Sequence, residues 1–577
     1  MENKAFGIDL GTTYSCISYV DDVTGEPVVV DNMEGTNVTP SIVYFEDDSS
    51  FTVGDVAKES AVVYPESTCE FVKRKMGIDK VAITVGGKDF APELVSSLIL
   101  RKLVADAETA LDTKIEDVVI TCPAYFGIAE KTATQEAGKL AGLNVLEIIN
   151  EPTAAALCYG SLRGVEDKVI LVYDLGGGTF DVTIIRVTPK EIVAIATDGN
   201  HQLGGKDWDK ALMEYLEDEF RSQKDFDDAF DLEATQDLQL KAEKAKQQLT
   251  AKPQTKVIVM ASGVKASIEV TRETFDDITS VLLRQTIDKT KDAIAAAAKK
   301  GVTGIDEIIL VGGSCKMPQV KAAVETEFAD IPIKMFEPNT AVAKGAAIHA
   351  DNLKKGQAGL QEWKEDMEAV LEEINKKRSK EEQVTIDDLM SEEISGEIME
   401  QVEKTIERTG GDMEKAKFFL GGGVRKESGP VLRNITSKSF GVEVLVDAAG
   451  GRVSKIRNLI TKQDPVPVTI SQEFGTAYPN QQTAEIVVYE TDITDEVYDI
   501  DGLEPLGTAI LELPGNLPED APIEITFGLT TDGLLKVRGF EKTSNKECRV
   551  QLQSGAISTE EEIAQMQEYA KGITLLQ

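Results

Sequence analysis

The chain has 577 residues, enough for about three or four domains at ~150 residues each. Hydrophobic residues make up 42% and charged residues 28%, which excludes pervasive disorder and a small stapled scaffold. Against 61 Lys and Arg stand 100 Asp and Glu, a net charge of −39 that repels a nucleic-acid backbone or an anionic membrane surface.

From residue 5 to about 350, short apolar strands alternate with helical patterns. Phe6–Asp9, Val118–Thr121, Val169–Tyr173 and Ile308–Val311 read as strands; Glu130–Ala141, Asp209–Phe220, Asp237–Leu249 and Glu273–Lys300 read as helices. That alternation predicts an α/β domain over 1–350. Residues 351–420 hold 11 basic and 19 acidic residues and no strand pattern. Leu360, Trp363, Met367, Leu371 and Ile374 recur at helical spacing, and Thr385 opens a capping-box variant before a helix with Ile398, Val402 and Ile406 on one face. Gly410-Gly411 stops that helix, and Met413–Leu420 reads as a short third one. This segment is an acidic helical insert with the steepest charge density in the chain. A linker follows at 421–435, beginning Gly421-Gly-Gly423. Residues 436–557 read as strands and turns, with Thr530-Thr-Asp-Gly533 as a hairpin signal. A polar helix, Ser558–Lys571, capped by Ser558, occupies most of 558–577.

Six cysteines lie far apart with no Cys-x-x-Cys, and read as buried thiols in a reducing compartment. The first residues lack the basic and apolar regions of a secretory signal, and no apolar run approaches ~18 residues. His201 and His349 are the only histidines, too few for a His-built metal site. A cytoplasmic protein is expected.

One internal echo carries chemistry. Ile8-Asp9-Leu10-Gly11-Thr12-Thr13 returns as Tyr173-Asp174-Leu175-Gly176-Gly177-Gly178-Thr179, with Asp181 close behind. Each is a strand ending in Asp, then a turn of small residues. Glycines let backbone N–H groups approach a phosphate, and the strand-end Asp suits a hydrated divalent cation such as Mg²⁺. The alternative is two ordinary glycine hairpins; the shared Asp-Leu-Gly favours a paired nucleotide clamp. Gly199–Asp207 resembles a P-loop but fails, because Lys206 sits one place late and Asp207 stands where Ser or Thr is required. Val311–Pro318, a strand followed by Gly-Gly-Ser, suits approach to a base or sugar.

Gly7–Ser15, Pro123-Ala-Tyr-Phe126, Ile149–Ala156, Asp174–Asp181, Leu203–Gly205, Glu243–Lys246 and Val311–Pro318 together resemble, in order and spacing, the nucleotide-binding domain of the heat-shock protein 70 family, the DnaK-like chaperones. Residues 436–563 resemble the family's peptide-binding β-domain through Ser439–Glu443, Phe474–Ala477 and Ile523–Val537. The resemblance covers about four-fifths of the chain. It implies an actin-like ATPase fold, a β-sandwich for peptides, ATP/ADP and Mg²⁺ as ligands, and unfolded or extended polypeptides as partners.

Carried over position by position, Gly11, Thr12, Thr13 and Tyr14 with Gly176, Gly177, Gly178 and Thr179 would hold phosphates. Asp9, Glu151 and Asp174 would hold Mg²⁺ through water. Lys73 would orient the attacking water and stabilise charge on the γ-phosphate, helped by Thr179 and Asp181. Phosphoryl transfer to water asks mainly for such positioning. Gly205, Glu243, Lys246 and Thr250, with Gly313, Ser314 and Lys316, would contact adenosine. Read without the resemblance, Lys73-Arg74-Lys75 is equally a solvated basic patch. Phe440, Phe474, Ala477, Ala484 and Ile486 would line the peptide groove, although apolar strand residues are commonly core.

Departures from the family matter. Lys316 replaces a stacking Arg and cannot offer its planar surface. Lys131 replaces an Arg partnered with the Pro123 position. Glu147 reverses a charge where the linker and a J-domain co-chaperone dock, which argues against that partner; a nucleotide-exchange factor stays compatible. The linker's Val431–Ile435 is polar at Arg433 and Asn434. The insert has no family counterpart, and the long helical lid is not represented. The leading expectation is an ATP-hydrolysing chaperone; the alternative is a nucleotide-dependent switch with a dedicated partner. A sugar or acetate kinase shares the phosphate hairpins, but the β-domain and Asn150–Ala156 argue against it.

Overall fold

The structure, a computed structural model, describes residues 4–164, 167–376, 378, 383–390, 396–409, 429–448, 451–530, 534–552 and 560–576. The expected glycine stop at 410–411, the helix 413–420, the glycine-rich start of the linker, the turn at 531–533 and the cap at 558 lie outside the described residues.

Two sheets face each other across a helical layer. In the first, Asn144–Asn150, Asp117–Cys122, Ala5–Asp9, Tyr14–Val20 and Pro27–Val29 lie side by side. In the second the order is Ile333–Met335, Glu307–Val311, Lys168–Leu175, Phe180–Val187 and Glu191–Asn200. In both, an Asp-ending strand turns back into its antiparallel neighbour, with Gly7 opposite Ser18 in one and Asp174 opposite Asp181 in the other. The two lobes are thus built on one plan, as the echo in the sequence predicts.

Helices Glu151–Arg163 and Ala341–Asn375 fill the space between the sheets. Their Ala-rich faces join Val119 and Ile149 of one sheet and Ile170, Val172 and Ile309 of the other in one core. Small residues are required here. A Cβ on Gly345 would lie 1.8 Å from the Ala154 carbonyl oxygen, and one on Gly7 would lie 2.0 Å from the Ala347 nitrogen. Close packing of this kind leaves no room for an added methyl group without backbone movement.

The boundary expected at 350 falls inside the helix Ala341–Asn375, because no glycine or proline break separates the Ala-rich packing half from the amphipathic half that follows. The second half carries Trp363, Met367, Val370 and Leu371 into a separate small core with Leu389, Val402 and Ile406. Helices Ile386–Met390 and Gly396–Thr409 supply the rest. The Thr385 cap is in place: its backbone N–H donates to Asp388 Oδ2 at 2.7 Å, and the Asp388 N–H donates to Thr385 Oγ1 at 3.2 Å.

Two antiparallel sheets form the β-unit, one ordered Val497–Asp499, Gly451–Ile460, Ser439–Ala448, Thr483–Thr491, Gly507–Glu512, the other Val468–Gly475, Pro522–Leu529, Leu535–Glu541, Lys546–Leu552. Pro522–Leu529 alternates half-buried and buried residues, the period of a strand with one face on a core. Inner faces of both sheets share that core through Val442, Ile460, Val488, Ile525 and Phe527.

The β-unit is fastened at both ends. Val431–Ile435, within the expected linker, is a strand: it runs parallel to Glu191–Asn200 and extends the second lobe's sheet. Its polar residues are matched, Arg433 with Glu191 at 3.2 Å and Asn434 Oδ1 with the Thr153 hydroxyl at 2.9 Å. At the other end, helix Glu560–Gly572 and strand Thr574–Leu575 pack on the first lobe, where the strand pairs parallel with Ser50–Val53. Among the described residues no helix is long and apolar enough to cross a membrane.

Candidate active site

Between the lobes lies a cleft of about 670 Å³, a volume suited to a nucleotide-sized ligand. All the residues expected to hold a nucleotide line it except Asp181, Gly178 and Gly205. The two hairpins meet across the cleft. A Cβ on Gly177 would lie 2.0 Å from Thr13 Oγ1, and one on Gly178 would lie 2.2 Å from Thr12 Cγ2. Glycine at these positions is therefore a demand of the facing loop. The N-terminus of helix Gly205–Lys224 closes against the second hairpin, with Gly205 N–H donating to Gly176 O at 3.0 Å and Lys206 N–H to Gly177 O at 2.8 Å.

At the base of the cleft, strand ends bring together Asp9, Asp174 and Asp181 with Glu151, the first residue of its helix. Lys73 is buried and ion-paired to Glu151. Burial alone would favour the neutral amine, but Glu151 and Asp9 outweigh it and hold the ammonium above its ordinary range. The carboxylates are pushed the other way. Burial first, then Glu151, raises Asp9 to about 7, with Lys73 opposing. Burial, followed by Glu151 and Asp9, holds Asp174 well above the usual carboxylate range; burial, Glu151 and Asp174 do the same for Asp181. One ammonium among four carboxylates leaves a deficit of positive charge. Among the described residues no group of three or more His, Cys, Asp or Glu forms a direct ligand set. The donor set fits a divalent cation held through its water shell, and not one gripped by side chains alone.

The solvated-patch reading of residues 73–75 does not survive. Arg74 donates to the Gly178 carbonyl and pairs with Asp207 at 2.7 Å, and Lys75 donates to Ala82 O at 2.7 Å. Other contacts across the cleft went unread in the sequence. Lys58 bonds Glu243 at 2.6 Å and the Tyr14 hydroxyl at 3.1 Å; Gln236 and Gln239 donate to Glu70 at 3.0 and 3.1 Å. Lys58, Glu70, Gln236 and Gln239 sit in no glycine motif, so local pattern carries no signal for them.

Tyr125, in the quoted Pro-Ala-Tyr-Phe stretch, is the other residue that the motif alone left without a role. Its buried hydroxyl lies beside Thr179 but makes no hydrogen bond of good geometry among the described residues. Burial, then the Asp181 and Glu151 charges, holds the phenol well above its ordinary range. Asp181 and Thr179 are its polar neighbours, and Tyr125 itself stands outside the cleft lining.

On the adenosine side, Lys246 donates to Gly205 O at 2.9 Å and pairs with Asp209 at 2.7 Å, while Ser314 Oγ donates to Gly176 O at 2.8 Å. Gly312 holds φ +87°, and a Cβ there would lie 2.3 Å from Leu175 O. The turn Gly313–Lys316 thereby seats against the phosphate hairpin, carrying Lys316 to the cleft edge. Thr250 follows Lys246 by one helical turn and donates back to its carbonyl at 3.2 Å.

The β-unit residues separate into two sets. Phe440 and Ile486 are 2% and 1% exposed, within the core between the sheets. Phe474 and Ala484 are half-buried against that core, and Ala477 is half-buried in the loop beyond its strand. Arg452, in strand Gly451–Ile460, donates to Ala477 O and pairs with Glu519 at 2.7 Å. The reversed charge at Glu147 meets buried His349 Nε2 at 2.9 Å, so it is part of a packed pair.

Compared with protein-family models, the chain matches the Hsp70 protein family over residues 5–81, 78–365 and 420–574. The matched ranges step over 366–419, most of which is the helical insert. Spacing of the glycine motifs, two like-built lobes, the cleft between them and this match agree, and the chain belongs to the Hsp70 family, a family of ATP-dependent chaperones.

Proposed function

We propose that this chain binds ATP with Mg²⁺ in the interlobe cleft, hydrolyses it to ADP and phosphate, and couples nucleotide state to the binding of extended apolar segments by the β-unit. The observation that carries this reading is the pair of opposed glycine hairpins above buried Lys73, buried Glu151, Asp174 and Asp181, and half-buried Asp9. The Gly11 and Gly176 N–H groups brace their own hairpins, donating to Ser15 Oγ and Thr179 O, and the N–H groups of Thr12, Thr13 and Gly177–Thr179 would serve the phosphate oxygens. Lys73, fixed by Glu151, supplies positive charge where the terminal phosphate would lie. Asp181, whose Oδ1 accepts from the Ala124 N–H at 3.1 Å, lies outside the cleft lining and would help place the attacking water. Asp9, Glu151 and Asp174 would hold the cation, which offsets phosphate charge when bound. Turnover of ATP by the purified chain, reduced at least about a hundredfold in Lys73→Ala, is the expected result. No turnover at all, or a Lys73→Ala chain as active as its parent, overturns the reading.

A second reading has one observation in its favour. Phe440 and Ile486 are closed within the core, leaving Phe474, Ala477 and Ala484 as the half-exposed apolar positions. That suits a nucleotide-dependent switch with a narrow partner range. An array of unrelated apolar peptides separates the two: broad binding supports a chaperone, silence supports the switch.

A further inference from the structure

The segment 560–576 makes contacts that a polar tail would not make. Thr574 and Leu576 donate their N–H groups to Ser49 O and Phe51 O, both at 2.8 Å, which is the ladder of an added parallel strand. Arg101 reaches across with both terminal nitrogens, donating to Ala570 O at 2.8 Å and Ile573 O at 2.9 Å. It thereby satisfies carbonyls that the end of the helix leaves open. Ala570 and Ile573 are 3% and 2% exposed and belong to the first lobe's own core. Tyr569 lies edge-on to Phe90, with Lys88 Nζ 3.4 Å from its ring centroid.

The sheet that receives the strand is the one that delivers cations to the cleft. Its order is Thr574–Leu575, Ser50–Val53, Val43–Phe45, Thr68–Cys69. Ser50–Val53 runs through Gly54 into helix Asp55–Val63, which carries Lys58 to its interlobe partner Glu243. Thr68–Cys69 runs directly into the turn bearing Lys73 and Arg74. Removing the segment exposes the N–H and C=O groups of Ser50–Val53 as an open edge and leaves a void where Ile573 sat.

We propose that the edge of Ser50–Val53, with Arg101, is a receptor site for the chain's own segment 560–576, and that occupancy of this site sets how long the cleft retains nucleotide. The retention half rests on the ATP reading above; the receptor half does not. With the segment seated, the small sheet is braced and holds Lys58 and Lys73 in place. With it released, the lobe loosens, the Lys58–Glu243 bridge opens more often, and nucleotide leaves faster.

The test uses the chain lacking 560–577 and a labelled synthetic peptide of that sequence. The peptide is expected to bind the shortened chain and to bind the full chain at least about ten-fold more weakly, because there the edge is taken. ADP release is expected to be about ten-fold faster from the shortened chain and to slow again when the peptide is added. Peptide that ignores a folded shortened chain, or binds both chains equally, overturns the receptor site. Unchanged ADP release overturns the retention half. Peptide binding with no nucleotide binding at all overturns the ATP reading and leaves the receptor site standing. Should the shortened chain fail to fold, Leu576→Pro in the full chain removes one ladder N–H without emptying the core. It is expected to admit the labelled peptide and speed ADP release several-fold, and its behaving as the parent does in both assays rejects the proposal.

Discussion

Glu490→Gln should tighten the contact between the β-unit and the first lobe and flatten its pH dependence. Glu490 closes strand Thr483–Thr491, and its Oε1 accepts from the Ile128 N–H at 3.3 Å, at the start of helix Ile128–Leu140. Gly127 allows this approach, since a Cβ there would lie 2.3 Å from the same oxygen. Burial, then the nearby Glu130 carboxylate, raises Glu490 to about 7, while the Ile128 N–H and Lys438 oppose the rise. Glu130 is itself raised, by burial first. A docked value above the free one means that docking takes up a proton. The contact is therefore strongest below about pH 4.5, the ordinary glutamate value, weakens as pH climbs toward 7, and levels off above that.

A rise from 4.5 to about 7 corresponds to at most about 3 kcal/mol, at ~1.36 kcal/mol per unit. Glu490 is only half-buried as a residue, so solvent screening discounts that to roughly 1–2 kcal/mol. Glutamine keeps the acceptor for Ile128 and carries no charge. Energy transfer between dyes on the β-unit and the first lobe, followed from pH 5 to 8, reads the docked fraction. In the parent the docked fraction should fall with rising pH. In Glu490→Gln the docking equilibrium at pH 8 should gain about 5–30-fold. A parent whose docking strengthens with pH, or a variant with the parent's slope, would refute the reasoning; Glu130→Gln serves as the control for the second carboxylate.

Three further outcomes follow from the site. Gly178→Ala forces a methyl group into Thr12, so nucleotide affinity by calorimetry should drop by at least about ten-fold while the β-unit's thermal transition stays put. Tyr125→Phe removes a buried hydroxyl that makes no hydrogen bond of good geometry, so the ligand-free chain should gain up to about 1 kcal/mol in denaturant unfolding. If that hydroxyl meets the reacting water, ATP turnover should nonetheless slow, with little change in nucleotide affinity. Trp363→Ala empties the small core shared with Leu389, Val402 and Ile406, at a cost of about 3–5 kcal/mol confined to the insert. Limited proteolysis should then cut near 363–406 while the cleft still binds nucleotide.

The parts legible in the sequence are those where backbone chemistry leaves a local mark. Asp9–Thr13 and Asp174–Thr179 advertise their turns because only small residues fit where two loops nearly touch. The amphipathic faces at Trp363 and Ile398 announce helices because burial on one side imposes a period. Lys58, Glu70, Gln236 and Gln239 leave no such mark, since each is an ordinary polar residue until the fold sets it against a partner far away in the chain. Val431–Ile435 reads as linker because its polar Arg433 and Asn434 interrupt an apolar run; their partners, Glu191 and Thr153, are visible only once the second lobe's sheet exists. The segment from 560 on reads as polar because it opens on three glutamates, although Ala570 and Ile573 enter the first lobe's core and Met566, Tyr569 and Leu575 pack against it.

The net charge of −39 argues against polyanionic partners, yet the ligand proposed for the cleft is an anion. Resolution comes from where charge sits. Most acidic side chains lie at the surface, where salt screens them beyond about 10 Å. Inside the cleft the four carboxylates are clustered below the hairpins, and the hairpins themselves present amides. Asp9, Asp174 and Asp181, all raised by burial and by one another or Glu151, hold protons more readily than free carboxylates do. A divalent cation held by Asp9, Glu151 and Asp174 would offset both the burial and the mutual repulsion that raise these groups. The same cluster that would penalise an anion alone would thus favour one accompanied by a divalent cation, with Lys73 and Lys206, both lining the cleft, adding positive charge near the hairpins.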